Sequence, residues 1–348
     1  MVTLPTVVTS SVIRSAEKGE SHGGVYIVDL KKGESVKVLD WDKADIDWEG
    51  RGADRGLRGI ELYNGKIFLA ASDELFLFDK SWSIINSYTN DYLKHCHEIT
   101  RVGNMLLLTS TGYDSILSFN LDNKEFIKGY HFFMDRFQIK RNLMSLKINK
   151  FINRNGKKIR AGKILPRPIP KVRKFNPRKE DGPSRGDNLH INNVEVDNKH
   201  SGFFVSGTKI GHLLYCNENK VSSYMRIPYL THNAKPFKGG TIANNTYADG
   251  ISFFSSESTR ERNFEIIKYS ENELENNDIP DDHARQAFGR GLVATEEGLV
   301  VGGSSPATIS VYDFKSAKRF KTVNITMDIR NSIHGLELWP YGLRYDQQ

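Results

Sequence analysis

Hydrophobic and polar residues alternate in short runs along almost the whole chain. The runs are rich in β-branched and aromatic residues, and Gly, Asn, Asp and Ser separate them, as at residues 25–28, 66–70, 75–78 and 105–108. Runs of this kind predict short strands of half-buried sheet. Helical periodicity is weak in the same regions, so we predict that the main body of the protein is all-β.

The runs recur in groups of four. Residues 58–88 and 97–132 share one layout, which starts again at His190, Lys238 and Arg290, and a last single run covers residues 333–340. Apart from one long interval, the groups begin about 40 to 50 residues apart, a period typical of four-stranded propeller blades. We therefore predict one domain over residues 1–348, a six-bladed β-propeller. A two-sheet sandwich or two smaller β domains are the alternatives.

The chain ends complete the predicted ring. The last run has no partners after it, whereas the N-terminal residues supply three runs with no first strand. A blade built from one C-terminal and three N-terminal strands joins the two ends and removes free sheet edges, which favour aggregation.

The long interval carries most of the positive charge. The net charge is +7 over 348 residues, yet residues 136–185, the basic insert, contain 17 Lys and Arg against Glu180 and Asp181. Residues 136–153 suit a helix, and the Pro-punctuated stretch that follows suits an extended chain. The insert joins blades three and four, and two interpretations are open. It is a lid packed on the propeller, or an arm that binds nucleic acid, an acidic partner or an anionic lipid surface.

Several classes of protein do not fit. No apolar run approaches the ~20 residues that span a bilayer, so we expect no transmembrane segment. The first basic residue, Arg14, follows the N-terminal apolar stretch, the reverse of a secretory signal. Cys96 and Cys216 lie far apart without a CxxC pair, which excludes a disulfide framework and a zinc ribbon and makes the cytoplasm the expected location.

The starts of the six first strands carry the functional prediction. In a propeller these strands line the central channel, so their first residues should surround one mouth of it. Every residue at that position is cationic or an imidazole: Arg58, His97, His190, Lys238, Arg290 and His334. Such a ring attracts anions, and Arg in particular suits a carboxylate, sulfate or phosphate. We therefore predict a pocket for a small, sugar-like anionic ligand. The alternative is that these cations pair with neighbouring acids.

The three histidines suggest chemistry. An imidazole beside fixed cations is neutral and can act as a base, so His97, His190 or His334 would move a proton while Arg58 or Arg290 stabilises an oxyanion. Elimination from a uronate-like sugar or ester hydrolysis fits, which makes the protein a candidate lyase or hydrolase. The same histidines are also candidate ligands of a divalent metal, iron, zinc or manganese.

In one feature the pattern resembles carotenoid-cleaving oxygenases, in which histidines on the inner strands of a propeller hold iron. The resemblance is confined to this feature. Blade number and chain length differ, and three of the six positions here are Arg or Lys.

Further residues are predicted to reach the same mouth. Asp54 and Arg55 lie in the loop before Arg58, and Tyr113 and His212 lie in loops between second and third strands. Because no motif selects a reaction, two other functions stay open. They are a non-enzymatic interaction scaffold and a binder that acts through the basic insert.

Overall fold

The computed structural model describes residues 3–16, 19–42, 56–154, 167–197, 201–257, 261–280 and 284–341. Its six antiparallel sheets are arranged in a ring, so the chain is a six-bladed β-propeller, as predicted. In sheet order, blade one is β25 (Asn331–Leu338), β1 (Thr6–Ile13), β2 (Gly23–Asp29) and β3 (Glu34–Asp40). Blade two is β4 (Leu57–Tyr63), β5 (Lys66–Ala71), β6 (Glu74–Phe78) and β7 (Ile84–Thr89).

The other four blades follow in chain order. Blade three is β8 (Ile99–Val102), β9 (Met105–Ser110), β10 (Ser115–Asn120), β11 (Glu125–Phe133) and β12 (Lys171–Phe175). Blade four is β13 (Ile191–Val196), β14 (Phe203–Gly207), β15 (His212–Asn217) and β16 (Lys220–Arg226). Blade five is β17 (Thr231–Phe237), β18 (Gly240–Asn245), β19 (Gly250–Phe254) and β20 (Arg262–Glu265). Blade six is β21 (Arg290–Ala294), β22 (Leu299–Ser304), β23 (Thr308–Asp313) and β24 (Arg319–Asn324).

Blade one closes the ring in the predicted way. Strand β1 pairs with β2 on one side and with the C-terminal β25 on the other, where Val7 faces Leu338. Both of its edges are therefore satisfied, although its two partners lie at opposite ends of the sequence.

The hydrophobic core lies between neighbouring blades. Phe68 and Leu77 of blade two pack in one buried cluster with Leu106, Leu117 and Phe119 of blade three. A second cluster joins blade six to blade one. Because alternate residues of a strand point to opposite sheet faces, the short apolar runs supply both faces of each blade.

Blade five departs from the predicted layout. The run that begins at Lys238 contributes its second strand, and its first strand is β17. Lys238 and Gly239 form the two-residue turn between them, because Phe237 pairs with Gly240. Both turn residues have positive φ, 44° and 77°, which is typical of a tight hairpin.

The basic insert contributes one helix and one strand to the described structure. Helix α1 (Arg136–Arg154) agrees with the predicted helix, and β12 adds a fifth strand to blade three, antiparallel to β11. Residues 155–166 lie outside the described residues. No helix within the described ranges has both the length and the apolar character needed to cross a membrane.

Candidate functional site

The first strands of neighbouring blades approach one another closely around the channel. A Cβ placed on Gly335 of β25 would lie 2.2 Å from the Arg58 oxygen, and one on Gly59 would lie 2.6 Å from the Ile99 nitrogen. Glycine is therefore required where these backbones touch. The register shifts beside Arg58, Arg290 and His334, a β-bulge of the kind that turns side chains toward functional sites.

Five of the six predicted residues meet at the mouth of the channel. Arg290 Nη1 lies 3.2 Å from His97 Nδ1, although the two residues belong to opposite blades. The His97 ring lies 5.7 Å from both the His190 and the His334 ring centroids. Arg58 Nη1 donates to the Cys96 carbonyl at 3.4 Å, and Arg58 is among the charges that lower the pKa of His97.

The sixth position belongs to His232, which the pattern of apolar runs does not predict. His232 lies in β17, it is buried, and the charge of Arg290 and the His190 ring both act on it. Lys238 lies at the far end of the same strand, where its Nζ donates to the Glu296 carbonyl at 2.7 Å. The six residues now assigned to the channel mouth are called the mouth ring: Arg58, His97, His190, His232, Arg290 and His334.

The residues of β17 do not look like those of a strand, so the sequence did not reveal that His232 lies at the mouth. Pro236 within the strand and Asn233 beside the bulge are residues that strands usually lack. The hairpin turn at Lys238 and Gly239 was the signal that would have corrected it, because it needs a strand on each side.

The electrostatics of the mouth ring favour neutral imidazoles beside charged guanidinium groups. Burial, followed by the charges of Arg58 and Arg290, lowers the pKa of His97 well below its ordinary value. Burial and Arg290 do the same for His232 and His334. The pKa of Arg290 is also lowered, first by burial and then by the positive charges of Arg14 and Arg58. Keeping this guanidinium charged in the folded protein therefore costs free energy of folding.

Buried nitrogen atoms of the ring that form no hydrogen bond among the described residues include Arg290 Nε and His232 Nδ1. Within the described ranges, no carboxylate forms an ion pair with Arg290. Buried polar groups are normally satisfied, so Arg290 Nε is a buried donor that the described residues leave without an acceptor.

The contact between Arg290 and His97 determines which nitrogen of His97 carries the proton. A guanidinium group can only donate hydrogen bonds, so Nδ1 of His97 accepts and its proton lies on Nε2. With its proton on Nε2, His97 is suited in this arrangement to donate a hydrogen bond.

His190 has the arrangement of a base. Its Nδ1 lies 2.9 Å from Asp187 Oδ2, which orients the ring and leaves Nε2 available to accept a proton. Burial opposes the ionisation of Asp187, yet the contacts with His190 and Lys209 hold the pKa of Asp187 below its ordinary value. The buried Asp114 carboxylate accepts the backbone N–H groups of Asn188, Leu189 and His190 at 2.7–3.1 Å.

A layer of acidic residues lies deeper in the channel. Glu195 forms an ion pair with Lys235 at 3.0 Å, and Asn233 donates to Glu98 Oε1 at 2.6 Å. Burial raises the pKa of Glu98 and of Glu337 to about 8. The cavity among these residues holds about 30 Å³, whereas Glu195 and Lys235 also line a larger cleft of about 1230 Å³.

A cleft adjoins the mouth ring at His190 and His232. Its volume is about 730 Å³, within the range typical of small-molecule sites. Phe288 forms part of its wall and packs 5.6 Å from His232, while the guanidinium carbons of Arg14 and Arg290 lie 4.7 and 5.2 Å from the Phe288 ring centre. The lining residues of this mouth cleft are His190, Thr208, Leu230, His232, Thr246, Tyr247, Asp249, Arg285 and Phe288.

The remaining predicted residues lie elsewhere or outside the described ranges. Asp54 and Arg55 belong to residues 43–55, which the structure does not describe. Tyr113 packs edge-on against Tyr92, with ring centres 5.5 Å apart. His212 Nδ1 contacts Ser223 Oγ at 2.7 Å, and burial together with Arg167 and Arg226 lowers the pKa of His212 to about 4.

The described residues contain no arrangement of three His, Cys, Asp or Glu side chains that could hold a metal ion. His97 and His334 stack with an angle of 17° between their rings, and Arg290 occupies Nδ1 of His97. The His97 and His334 rings are thus stacked on each other rather than directed at a common point, as metal ligands would be. A nearby guanidinium also opposes the binding of a cation.

Comparison with known proteins yields structural likeness only. No protein-family model matches the chain, and no curated protein matches it. A solved protein of unknown function from Bacteroides caccae superposes with a TM-score of 0.50 at 10% identity, over 95% of this chain and 98% of that one. The C-terminal WD40 domain of Sif2 gives 0.47 at 9% identity over 94% and 89%, and apo AztD from Citrobacter koseri gives 0.46 at 10% over 94% and 83%.

Proposed function

We propose that this protein binds a small anionic ligand at the mouth ring, through a carboxylate, sulfate or phosphate group. The observation that carries the proposal is Arg290. It is 8% exposed, it has no ion-pair partner among the described residues, and it keeps one buried nitrogen without a hydrogen bond. Leaving a buried charge uncompensated is expensive, and an anion would supply the missing partner.

The surrounding residues suit an anion rather than a cation. A neutral imidazole offers one N–H, and His97 directs its Nε2–H away from Arg290. Hydrogen bonds from Arg to an anionic oxygen are strong and directional. The rest of a sugar-sized ligand would lie in the mouth cleft, where Phe288 provides an apolar surface and Thr208 and Thr246 provide hydroxyl groups.

Calorimetry with inorganic phosphate, sulfate and glucuronate tests this proposal. We expect saturable binding of at least one anion, and about tenfold or greater weakening in Arg290→Gln, since a charged hydrogen bond is lost. Lys238→Gln is the matched control, because Lys238 is a cation at the opposite end of a channel strand. Equal affinities in the wild type and Arg290→Gln would contradict the assignment, and no binding of any anion would favour an interaction scaffold.

The Asp187–His190 contact favours a second, catalytic role at the same site. We propose that His190 Nε2 accepts a proton from the bound ligand while Arg58 or Arg290 stabilises the charge that develops on its carboxylate. In an elimination from a uronate, the C5–H electron pair would form the C4–C5 double bond as the C4–O bond breaks. The departing oxygen would take a proton from water.

Incubation with uronate oligosaccharides tests this role, with ultraviolet absorbance of the unsaturated product as the readout. His190→Asn is the informative variant, because His190 has a φ of 54° and Asn tolerates that conformation. We expect loss of activity with retained anion binding. His131→Asn is the control, since its ring contacts the Tyr113 carbonyl instead of an acid. Undiminished activity in His190→Asn would exclude His190 as the base.

A further inference from the structure

Helix α1 is anchored to the propeller by one face. Asn142 accepts a hydrogen bond from Tyr229 Oη at 2.9 Å and donates to the Lys209 carbonyl. Ile139 packs against the buried cluster between blades three and four, and Ser145 is buried. Residues 139, 142 and 145 recur every three positions, so together they form one stripe along the helix.

The opposite face of α1 is apolar where a surface helix is normally polar. Phe137 is 72% exposed, Met144 57% and Leu143 45%. These side chains lie on the side away from Asn142, interleaved with the exposed Lys140 and Lys147. The five residues Phe137, Lys140, Leu143, Met144 and Lys147 are called the outer face of α1.

The charge of this helix has a single sign. Residues 136–154 contain six Lys and Arg and no acidic residue. The whole basic insert carries 17 basic and two acidic residues, in a chain whose other residues sum to a negative charge. The helix therefore combines exposed large apolar side chains with a local excess of positive charge.

We propose that the outer face of α1 docks on an anionic lipid bilayer. Apolar side chains on a basic helix bury their tips at the boundary between headgroups and acyl chains, and Lys and Arg gain from the negative surface charge. A duplex nucleic acid would use the positive charge but would give Met144 and Leu143 nothing to contact, because its outer surface is phosphate. A single strand exposes bases that stack on aromatic side chains, and the outer face of α1 offers only Phe137 for such stacking. The complementarity of both charge and apolar surface thus favours the bilayer.

Docking in this way would orient the mouth ring. Helix α1 packs on Lys209 and Tyr229, in the same loops as Thr208 and Leu230, which line the mouth cleft. Lys209 Nζ also lies 3.1 Å from Asp187, the partner of His190. A protein attached through α1 would therefore hold the rim of its mouth cleft near the headgroups. The inference stands on α1 alone and does not depend on the function proposed for the mouth ring.

Vesicle sedimentation tests the inference on the full chain. We expect binding to phosphatidylcholine vesicles that contain phosphatidylserine, weak binding to phosphatidylcholine alone, and release as salt is raised. The double variant Phe137→Ser with Met144→Ser should bind about tenfold more weakly, because the apolar contribution is removed. Lys140→Glu with Lys147→Glu should lose binding by a similar or larger factor.

Phe320→Ser is the matched control, since Phe320 is a 51% exposed apolar residue on β24, outside the insert. It should bind vesicles like the wild type, and unchanged melting temperatures would show that all variants fold. Absence of wild-type binding to anionic vesicles would overturn the inference. Equal vesicle binding by the wild type and by the double variant Phe137→Ser with Met144→Ser would also overturn it. A third contrary result would be binding of the wild type to single-stranded RNA that the same double variant does not weaken. Phosphate binding at Arg290, measured on the same variants, reports separately on the mouth ring.

Discussion

Arg290 carries a buried positive charge that lowers the stability of the fold. Its guanidinium is buried, contacts a neutral His97 and lies near the positive charges of Arg14 and Arg58. Like charges in a poorly solvated site repel one another, and Glu98 at greater depth compensates only in part. The anion proposed above would supply the counter-charge that Arg290 lacks among the described residues.

Replacing this charge should therefore stabilise the empty protein. We expect Arg290→Gln to raise the free energy of unfolding by about 1 to 2 kcal/mol, since replacing an unfavourable buried ion by a neutral group is commonly stabilising. Urea denaturation without added anion measures the effect. A marked loss of stability in Arg290→Gln would show that the guanidinium is instead satisfied within the protein.

Glu98 and Glu337 make the stability of the channel depend on pH. Both have a pKa of about 8 in the folded protein against 4.5 ordinarily, because burial disfavours their charged forms. The unfolded chain loses these protons at lower pH than the folded one, so their contribution to stability falls as pH rises from 4.5 to about 8.

Glutamine imitates the protonated acid and should remove this dependence. We expect the melting temperature of Glu98→Gln with Glu337→Gln to exceed that of the wild type by an amount that grows between about pH 5 and about pH 9. Comparing the two proteins at each pH cancels the opposite effect of the buried histidines. Glu34→Gln, at an exposed position of β3, should show a difference that stays constant. A constant difference for the channel variant as well would refute the pKa assignment.

The residue pattern predicted most of the mouth ring. Arg58, His97, His190, Arg290 and His334 were assigned from the starts of apolar runs, and the structure brings all five together. His232 was missed because Pro236 hid its strand, and Lys238 was included because its run resembled a first strand. Contacts such as Arg290 with His97 join residues almost two hundred positions apart, so no local pattern contains them.

At the scale of elements, the six innermost strands lie so close together that each restricts the size of the side chains on its neighbours. The glycines beside Arg58 and His334 allow each backbone to approach the next, and the bulges at these positions turn the preceding side chains toward the mouth. A propeller of this size therefore needs small residues on the same strands that carry the large cationic ones.

Gly335→Ala should disturb this packing. The new Cβ would lie 2.2 Å from the Arg58 carbonyl oxygen, so β25 or β4 must move. We expect a loss of about 2 kcal/mol in the free energy of unfolding, typical of overpacking, together with weaker anion binding. Gly186→Ala is the control, because its Cβ would meet only the Asn188 side chain, at 3.3 Å. Equal stability of the two variants would show that the strands separate at little cost.

At the scale of the whole molecule, charge is separated along the channel. The mouth ring is cationic or neutral, while Glu98, Glu195 and Glu337 surround Lys235 at greater depth. Burial holds the pKa of Glu98 and of Glu337 at about 8, and Glu195 is paired with Lys235, so the deeper layer is close to neutral around pH 7. The excess of positive charge therefore lies at the mouth, at Arg58 and Arg290.

The ring also depends on its last strand. A chain that ends at residue 330 would leave one edge of β1 unpaired and remove His334 from the mouth ring. We expect this chain to lose the cooperative thermal transition and to aggregate, because an open apolar edge is exposed. Adding a peptide of residues 331–341 should restore the transition. An unchanged melting temperature of the truncated chain would show that the ring is stable without closure.

The sequence by itself determined the blade repeat, the ring closure, the helix of the insert and the strands of the blades other than β17 and β12, because each of these follows from local periodicity, turn residues and the order of runs. Tertiary structure alone decided that His232 completes the mouth ring, that His97 accepts from Arg290, that Asp187 orients His190, and that the outer face of α1 is apolar. These features depend on which atoms of distant segments face one another across the channel or which side of a helix is covered. The physical reason is that short-range pattern encodes the conformation of a segment, whereas burial and charge at a site are sums over all the segments that surround it.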